Sequence, residues 1–208
     1  MVGVDADRGL LRVARERTGL ECLAGDATRL PAADGAVDLA VCQALLVNLP
    51  APREAVAELA RVSSGLVAAI EPDNAAVEVE STVPEEATVE REARAAYIEG
   101  AATDVALGAG GAAPFRAAGL ADVETARYRH EKRIEPPYSE AALADARRKA
   151  TGAGLDDHPE LTRALSTAEY DDLRRRWRAV GRAVVAGMAA GDYERREVVP
   201  FAVTVGRA

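Results

Sequence analysis

From Met1 to about Pro72 the chain alternates short apolar runs with segments whose apolar residues recur every three or four positions. Met1 to Val4 reads as a short buried strand, Leu20 to Ala24 as a second, Val37 to Cys42 as a third, and Leu66 to Ile70, after Gly65, as a fourth. The segment between the first two carries Leu10, Leu11 and Ala14 on one helical face and Arg8, Arg12 and Arg15 on the other. Asp7 stands at its capping position and Gly19 at its stop. Pro52 to Val62 reads as a helix with Pro in its first turn and Val56, Leu59 and Ala60 on one face. Strands and helices in alternation imply parallel pairing through right-handed crossovers, hence an α/β sheet.

Beyond Pro72 the pattern turns helical. Glu85 to about Leu107 is rich in Ala and Glu and predicts one or two helices that end in Gly108-Ala109-Gly110-Gly111. That glycine run follows a helix instead of a strand, so it reads as a terminator and not as a phosphate loop. A short helix at Pro114 to Ala118 leads into a strand from Val123 to Ile134, closed by Pro136-Pro137. Helices follow at Ser139 to Ala150 and Pro159 to Leu165. The longest opens with a Ser166…Glu169 capping box and sets Tyr170, Leu173, Trp177, Val180, Val184 and Met188 at steps of three and four. Val198 to Val205 is the last predicted strand.

At 208 residues, 49% of them apolar, the chain holds enough to bury one sizeable core. A net charge of -8 argues against a nucleic-acid partner, which requires clustered cations to displace counterions. Cys22 and Cys42 fall on separate predicted strands without a CxxC pair, so they are read as core residues and not as a disulfide or zinc site. His130 and His158 lack neighbours at metal-ligand spacing. No apolar run reaches the roughly 20 residues of a membrane span, and no basic-then-apolar leader opens the chain; a cytoplasmic protein without membrane partners is the expectation.

Candidate chemistry gathers at the ends of the predicted strands, where ligands bind in open α/β sheets. Asp5 follows the first strand. An acid there can accept hydrogen bonds from both ribose hydroxyls of an adenosine cofactor, a device that nicotinamide-binding folds share. Gly25-Asp26-Ala27 ends the second strand, Gln43 the third, and Glu71-Pro72-Asp73-Asn74 the fourth. For Asp26 the alternative is a turn residue, and for Glu71 to Asn74 a turn built from strong turn formers.

Val2-Gly3-Val4-Asp5, Gly25-Asp26-Ala27-Thr28-Arg29-Leu30-Pro31, Val37-Asp38-Leu39-Ala40-Val41-Cys42 and Ala57-Glu58-Leu59-Ala60-Arg61-Val62 together resemble a class I S-adenosylmethionine-dependent methyltransferase of the ubiquinone/menaquinone-biosynthesis-like (methyltransferase type 11) group. The resemblance covers residues 1 to 75 and extends to 112–134 and 197–205. It implies one Rossmann-like α/β domain with strand order 3-2-1-4-5-7-6, elaborated at 75–111 and 138–192 by helices that form a substrate lid. It further implies S-adenosyl-L-methionine as cofactor and a small-molecule methyl acceptor as partner. By the same resemblance the cofactor site comprises Asp5 and Ala6 at the ribose, Asp26 and Ala27 at the adenine, and Gln43 beside the methionine part. Many relatives carry two adjacent histidines where this chain has Val47 and Asn48, so no catalytic base is assigned.

In that family a strand, a glycine-rich turn and a helix precede the strand matched by Val2 to Asp5. The sequence is therefore expected to lack the first βα unit, whose strand would lie between those ending at Asp5 and Cys42. An in-frame upstream extension of about 40 to 60 residues is the corresponding expectation. The functional expectation is methyl transfer to a small molecule. Its rival is a non-catalytic remnant of the fold serving as a binding module. A nicotinamide oxidoreductase is disfavoured by Gly25 to Pro31 and by the lack of G-x-G-x-x-G.

Overall fold

The computed structural model describes residues 1–208, apart from the side chain of Ala109. In chain order the elements are β1 (Val2–Asp5), α1 (Arg8–Thr18), β2 (Glu21–Ala24), β3 (Val37–Gln43), α2 (Pro52–Val62), β4 (Ser63–Pro72), β5 (Glu78–Ser81) and α3 (Glu86–Gly100). They continue with α4 (Ala112–Ala117), β6 (Ala121–Ile134), α5 (Glu140–Thr151), α6 (Ala153–Asp156), α7 (Pro159–Ala164), α8 (Thr167–Ala190) and β7 (Arg195–Arg207). Two compact units result. One comprises residues 1–71, 107–127 and 202–208, the other 72–106 and 128–201.

In the first unit β1 and β2 pair in parallel, Val2 opposite Glu21 and Asp5 opposite Ala24. Helix α1 covers them with the buried Leu11. The Asp7 carboxylate accepts from the Gly9 and Leu10 amides, and Gly19 closes the helix in the left-handed conformation, as the sequence predicts. Strands β3 and β4 form a second parallel pair, Leu39 opposite Leu66 and Gln43 opposite Ile70. β4 neighbours β7, and β7 also pairs with β6. The order β2-β1 and β3-β4-β7-β6 is the one expected of a 3-2-1-4-5-7-6 sheet, and no described strand pairs between β1 and β3. Ala55, Val56, Leu59 and Val62 of α2 pack on Ala40, Cys42, Val67 and Ala69, with Phe115 fully buried beside them.

Two expectations about burial fail in this unit. β1 is mostly exposed instead of buried, and Leu10 is 59% exposed, leaving Leu11 as the buried residue of α1. On β3 the residues facing away from α2 are also open: Leu39 and Val41 are each 51% exposed. The physical reason is that parallel strands are buried only when helices cover both faces of the sheet. Periodicity marks a strand as apolar but not what lies against each face. Threonine at both Leu39 and Val41 is thus expected to shift stability by no more than about 0.5 kcal/mol per site, since exposed substitutions rarely exceed that, and to lower the binding of a hydrophobic dye. Urea unfolding and dye titration check this; a loss above about 2 kcal/mol would mean that the face is covered.

In the second unit α3, α5 and α8 enclose a core of Val89, Ala93, Ala146, Leu173, Val180, Val184 and Met188. The capping box of α8 is formed: Ser166 accepts from the Glu169 amide, and the Glu169 carboxylate accepts from the Ser166 amide. Gly181 lets α5 and α8 approach closely, because a Cβ there would stand 2.2 Å from the Ala150 nitrogen. β5 was not anticipated from sequence. Its exposed Glu78 and Glu80 make it read as polar, yet it pairs antiparallel with β7, Glu78 opposite Val198 and Ser81 opposite Arg195. Of the one or two helices predicted over Glu85 to Leu107, α3 ends at Gly100, and Leu107–Gly110 is a separate 3-10 turn. Glu86 is fully buried at the start of α3, where the Tyr193 hydroxyl (3.0 Å), the Ser81 hydroxyl (2.5 Å) and the Lys149 ammonium all donate to it.

Candidate functional site

Parallel pairing of β1 with β2 brings the carboxyl ends of both strands together, and with them Asp5, Ala6, Asp26 and Ala27. The Gly25 amide donates to the Asp5 carbonyl at 3.1 Å. Residue 25 must be glycine, since a Cβ there would meet Pro31 at 2.8 Å and Val4 at 2.9 Å. Asp5 is exposed; its Oδ1 accepts from the Asp7 amide at 2.8 Å, which turns the chain into α1. Asp26 is also exposed, and its Oδ1 accepts from the Thr28 amide and the Thr28 hydroxyl, both at 2.8 Å. These bonds from Thr28 hold the Asp26 carboxyl below the usual carboxylate range. Each acid keeps its second carboxylate oxygen free of a protein partner among the described residues. The structure thus gives Asp26 the turn contact named as its alternative, with one acceptor oxygen to spare.

Ala27 and Leu30 pack against the core formed by Cys42, Leu46 and Val56, which fixes the loop after β2 beside β3. A charged clamp on α2 holds the same loop. Glu58 accepts from the Leu30 amide at 2.7 Å, and Arg61 donates to the Ala32 carbonyl at 2.9 Å and to the Asp34 carboxylate at 2.6 Å. Arg61 and Glu58 also bond each other at 2.7 Å, which keeps Glu58 ionised below its ordinary range. Sequence reading gave neither residue a role. The available signal was an i, i+3 acid and base on a helix, a spacing that more often marks a solvated pair.

Gln43 ends β3 opposite Ile70 and is exposed, in the other parallel pair from Asp5 and Asp26. The next residue, Ala44, takes a positive φ of 47°, a strained conformation for a side chain, while its amide bonds the Ile70 carbonyl at 2.9 Å. What holds this turn is Glu71. Only 1% exposed at the end of β4, its carboxylate accepts from the amides of Leu45 (3.1 Å), Leu46 (3.1 Å) and Val47 (3.2 Å). It thereby caps the 3-10 turn Leu46–Asn48, whose first amides lack partners in the turn. Glu71 is therefore a structural anchor, a role that the turn reading of Glu71 to Asn74 did not include. Burial, with the negative Glu71 beside it, pushes the Cys42 thiol up to about 12, so Cys42 stays protonated and is no nucleophile.

His130 stacks edge-on with Phe201, and His158 with Tyr97. Among the described residues no group of three His, Cys, Asp or Glu side chains could hold a metal ion, and no helix is long and apolar enough to cross a membrane. Both cysteines are free and buried.

Residues 1–69 match the family described as "Methyltransferase domain". That match covers the first 69 of 208 residues, and the fold is the Rossmann-like α/β architecture of class I methyltransferases. Among solved structures it is similar to a protein of Bacillus halodurans C-125 described as a candidate methyltransferase. The two are 16% identical with a TM-score of 0.52, over 99% of this chain and 81% of that one. Bacillus YcgJ protein gives 15% identity and a TM-score of 0.51 over the same shares. A SAM-dependent methyltransferase of Methanosarcina mazei is 27% identical over 34% of this chain and 41% of its own, with a TM-score of 0.30. None of the curated proteins matches the chain.

Replacing Glu71 with Ala would remove the acceptor of the Leu45 and Leu46 amides and one contact of the Val47 amide, and is expected to cost about 2 kcal/mol or more, since each unmet buried group costs about 1–3 kcal/mol. Glu71→Gln keeps one acceptor oxygen and should cost about half as much or less. Urea unfolding of both variants checks the order; equal losses would mean that Glu71 acts through packing alone.

Proposed function

We propose that the chain transfers a methyl group from S-adenosylmethionine to a small-molecule acceptor. The observation that carries this reading is the pair of exposed acids at the adjoining carboxyl ends of β1 and β2, within the segment that matches a methyltransferase domain. The residues present suit the adenosine half of that cofactor. Asp5 offers a carboxylate oxygen to ribose hydroxyls, Asp26 offers one to an adenine amino group, and the backbone at Ala6 and Ala27 lines the same end. Gln43 is the polar group for the methionine part. When bound, S-adenosylmethionine supplies an electrophilic sulfonium methyl, open to in-line displacement.

What these side chains contribute is position. Fixing two reactants in line replaces a bimolecular encounter, and a misplacement of about 1 Å can cost about a hundredfold in rate. Glu71, by holding the turn after Gln43, and the Glu58–Arg61 clamp, by holding the loop after Asp26, serve as positioning residues. No general base is assigned, which fits an acceptor that is itself a competent nucleophile. The segments 75–111 and 138–192, whose helices α3 and α5 to α8 lie in the second unit, are the ones we assign to acceptor selection. A location in the cytoplasm belongs to the same reading.

A second reading is a binding module of the same fold without catalysis. It is favoured by the open face of β3, where Leu39 and Val41 are each 51% exposed. Titration calorimetry with S-adenosylhomocysteine separates the two. For methyl transfer, Asp26→Ala is expected to weaken binding by about 1–3 kcal/mol, the loss of one bond to a charged group. Equal affinities would make Asp26 a turn residue only, and no binding by the unaltered chain would favour the module. Binding of NADH in its place would overturn the cofactor assignment.

A further inference from the structure

Within the second unit lies a cavity of about 260 Å³, between the start of α3, the helices α5 and α8, and the first residues of β7. This is just below the 300–1,000 Å³ usual for drug-sized ligands and suits one ring with a short substituent. Its walls combine two characters. Ile134, Ala142, Val184 and Met188 are apolar, while four carboxylates and four cations also line it.

The carboxylates that are buried there are already served. Glu86 receives Tyr193, Ser81 and Lys149, and Glu90 receives Lys149 and Arg195. Burial acts to raise the Glu90 pKa, but Lys149 and Arg195 outweigh it and hold Glu90 ionised. The unmet groups are donors. Two buried side-chain nitrogens have no hydrogen-bond partner among the described residues, Nε1 of Trp177 and Nε of Arg195, and both residues line this cavity. The Arg195 side chain is 9% exposed, and its Nε stands 3.8 Å from Glu86 Oε1 without a hydrogen bond. The indole nitrogen faces Gly154, also of the lining, where a Cβ would lie 3.9 Å away. Lys149 sits 5.0 Å over the indole ring and holds it in place. A buried indole N–H nearly always has an acceptor; neither nitrogen opens onto the cavity surface, so an acceptor meets them as the two side chains shift toward it.

We propose that this cavity is a binding site for a small uncharged organic molecule that presents a hydrogen-bond-accepting oxygen to Trp177 Nε1 and Arg195 Nε and lays an apolar body against Ile134, Val184 and Met188. The acceptor follows from the unmet donors, and the apolar body from the walls. The lack of charge follows from the balance of four acids and four bases, because a further ion would enter without a counter-ion. The site shares no residue with the proposed cofactor contacts, all of which lie in the first unit.

Trp177 is the single tryptophan of the chain, so its indole N–H gives one cross-peak in a proton–nitrogen correlation spectrum. Cyclohexanecarboxamide, cyclohexanecarboxylate and cyclohexylamine share a ring and differ in charge. The amide, at up to about 10 mM, a range in which so small a ligand can bind, is expected to move that peak saturably and downfield. The carboxylate should bind at least about tenfold more weakly, and the amine not at all. Trp177→Phe keeps the ring and removes the donor, and calorimetry should show affinity for the amide reduced about tenfold. Ala146→Leu fills the cavity from α5 and should abolish the shift while leaving the indole peak where it is in the free protein. A peak unmoved by all three probes means that water meets these donors, and overturns the site. Tighter binding of the carboxylate or the amine overturns the uncharged class.

Discussion

A buried carboxylate accepting three backbone amides is the constraint on which the first unit turns. Glu71 ends β4, yet its oxygens lie under the turn that follows β3, so the neighbouring parallel strands are locked at the end where candidate ligand groups collect. Burying a charge is costly unless hydrogen bonds replace its hydration, and three amides at 3.1–3.2 Å provide that replacement. The same amides are those a 3-10 turn cannot satisfy internally. Each partner therefore answers the other's deficit. The consequences reach Cys42, whose thiol is kept protonated, and Ala44, whose backbone is held at a positive φ.

The loop after β2 is stabilised by a different device. Arg61 and Glu58 project from α2 and bond backbone and side-chain groups between residues 30 and 34. Gly25, at the start of that loop, is squeezed between Val4 and Pro31. A loop so restrained can present Asp26 in one orientation, which is what the proposed cofactor contact requires. The second unit solves a comparable problem with charge: Glu86, Glu90, Lys149 and Arg195 neutralise one another where none could be buried alone.

Much of this was legible in the chain, for reasons that can be named residue by residue. Asp7, Gly19, Ser166 and Glu169 announce helix ends because capping is a local hydrogen-bond problem, solved within four residues. The apolar alternation from Val2 to Ile70 set out parallel pairs, and Asp5 and Asp26 fell at strand ends by simple counting. β5 was not legible. Its two exposed acids hide the period, and its pairing with β7 joins residues over a hundred positions apart.

What the sequence by itself determined was therefore the set of elements and the strand ends that carry the candidate acids, since both depend on spacing along the chain. Tertiary structure alone decided what each side chain meets. Glu71 became an anchor through amides some 25 positions earlier, and Leu10 and β1 lay open because no layer covers them. Trp177, placed by periodicity on a core stripe, came to line a cavity between α5 and α8 with its indole nitrogen buried and without a hydrogen-bond partner among the described residues. Burial and partnership are properties of packed layers, and a one-dimensional pattern of apolar and polar residues carries no record of which layers are there.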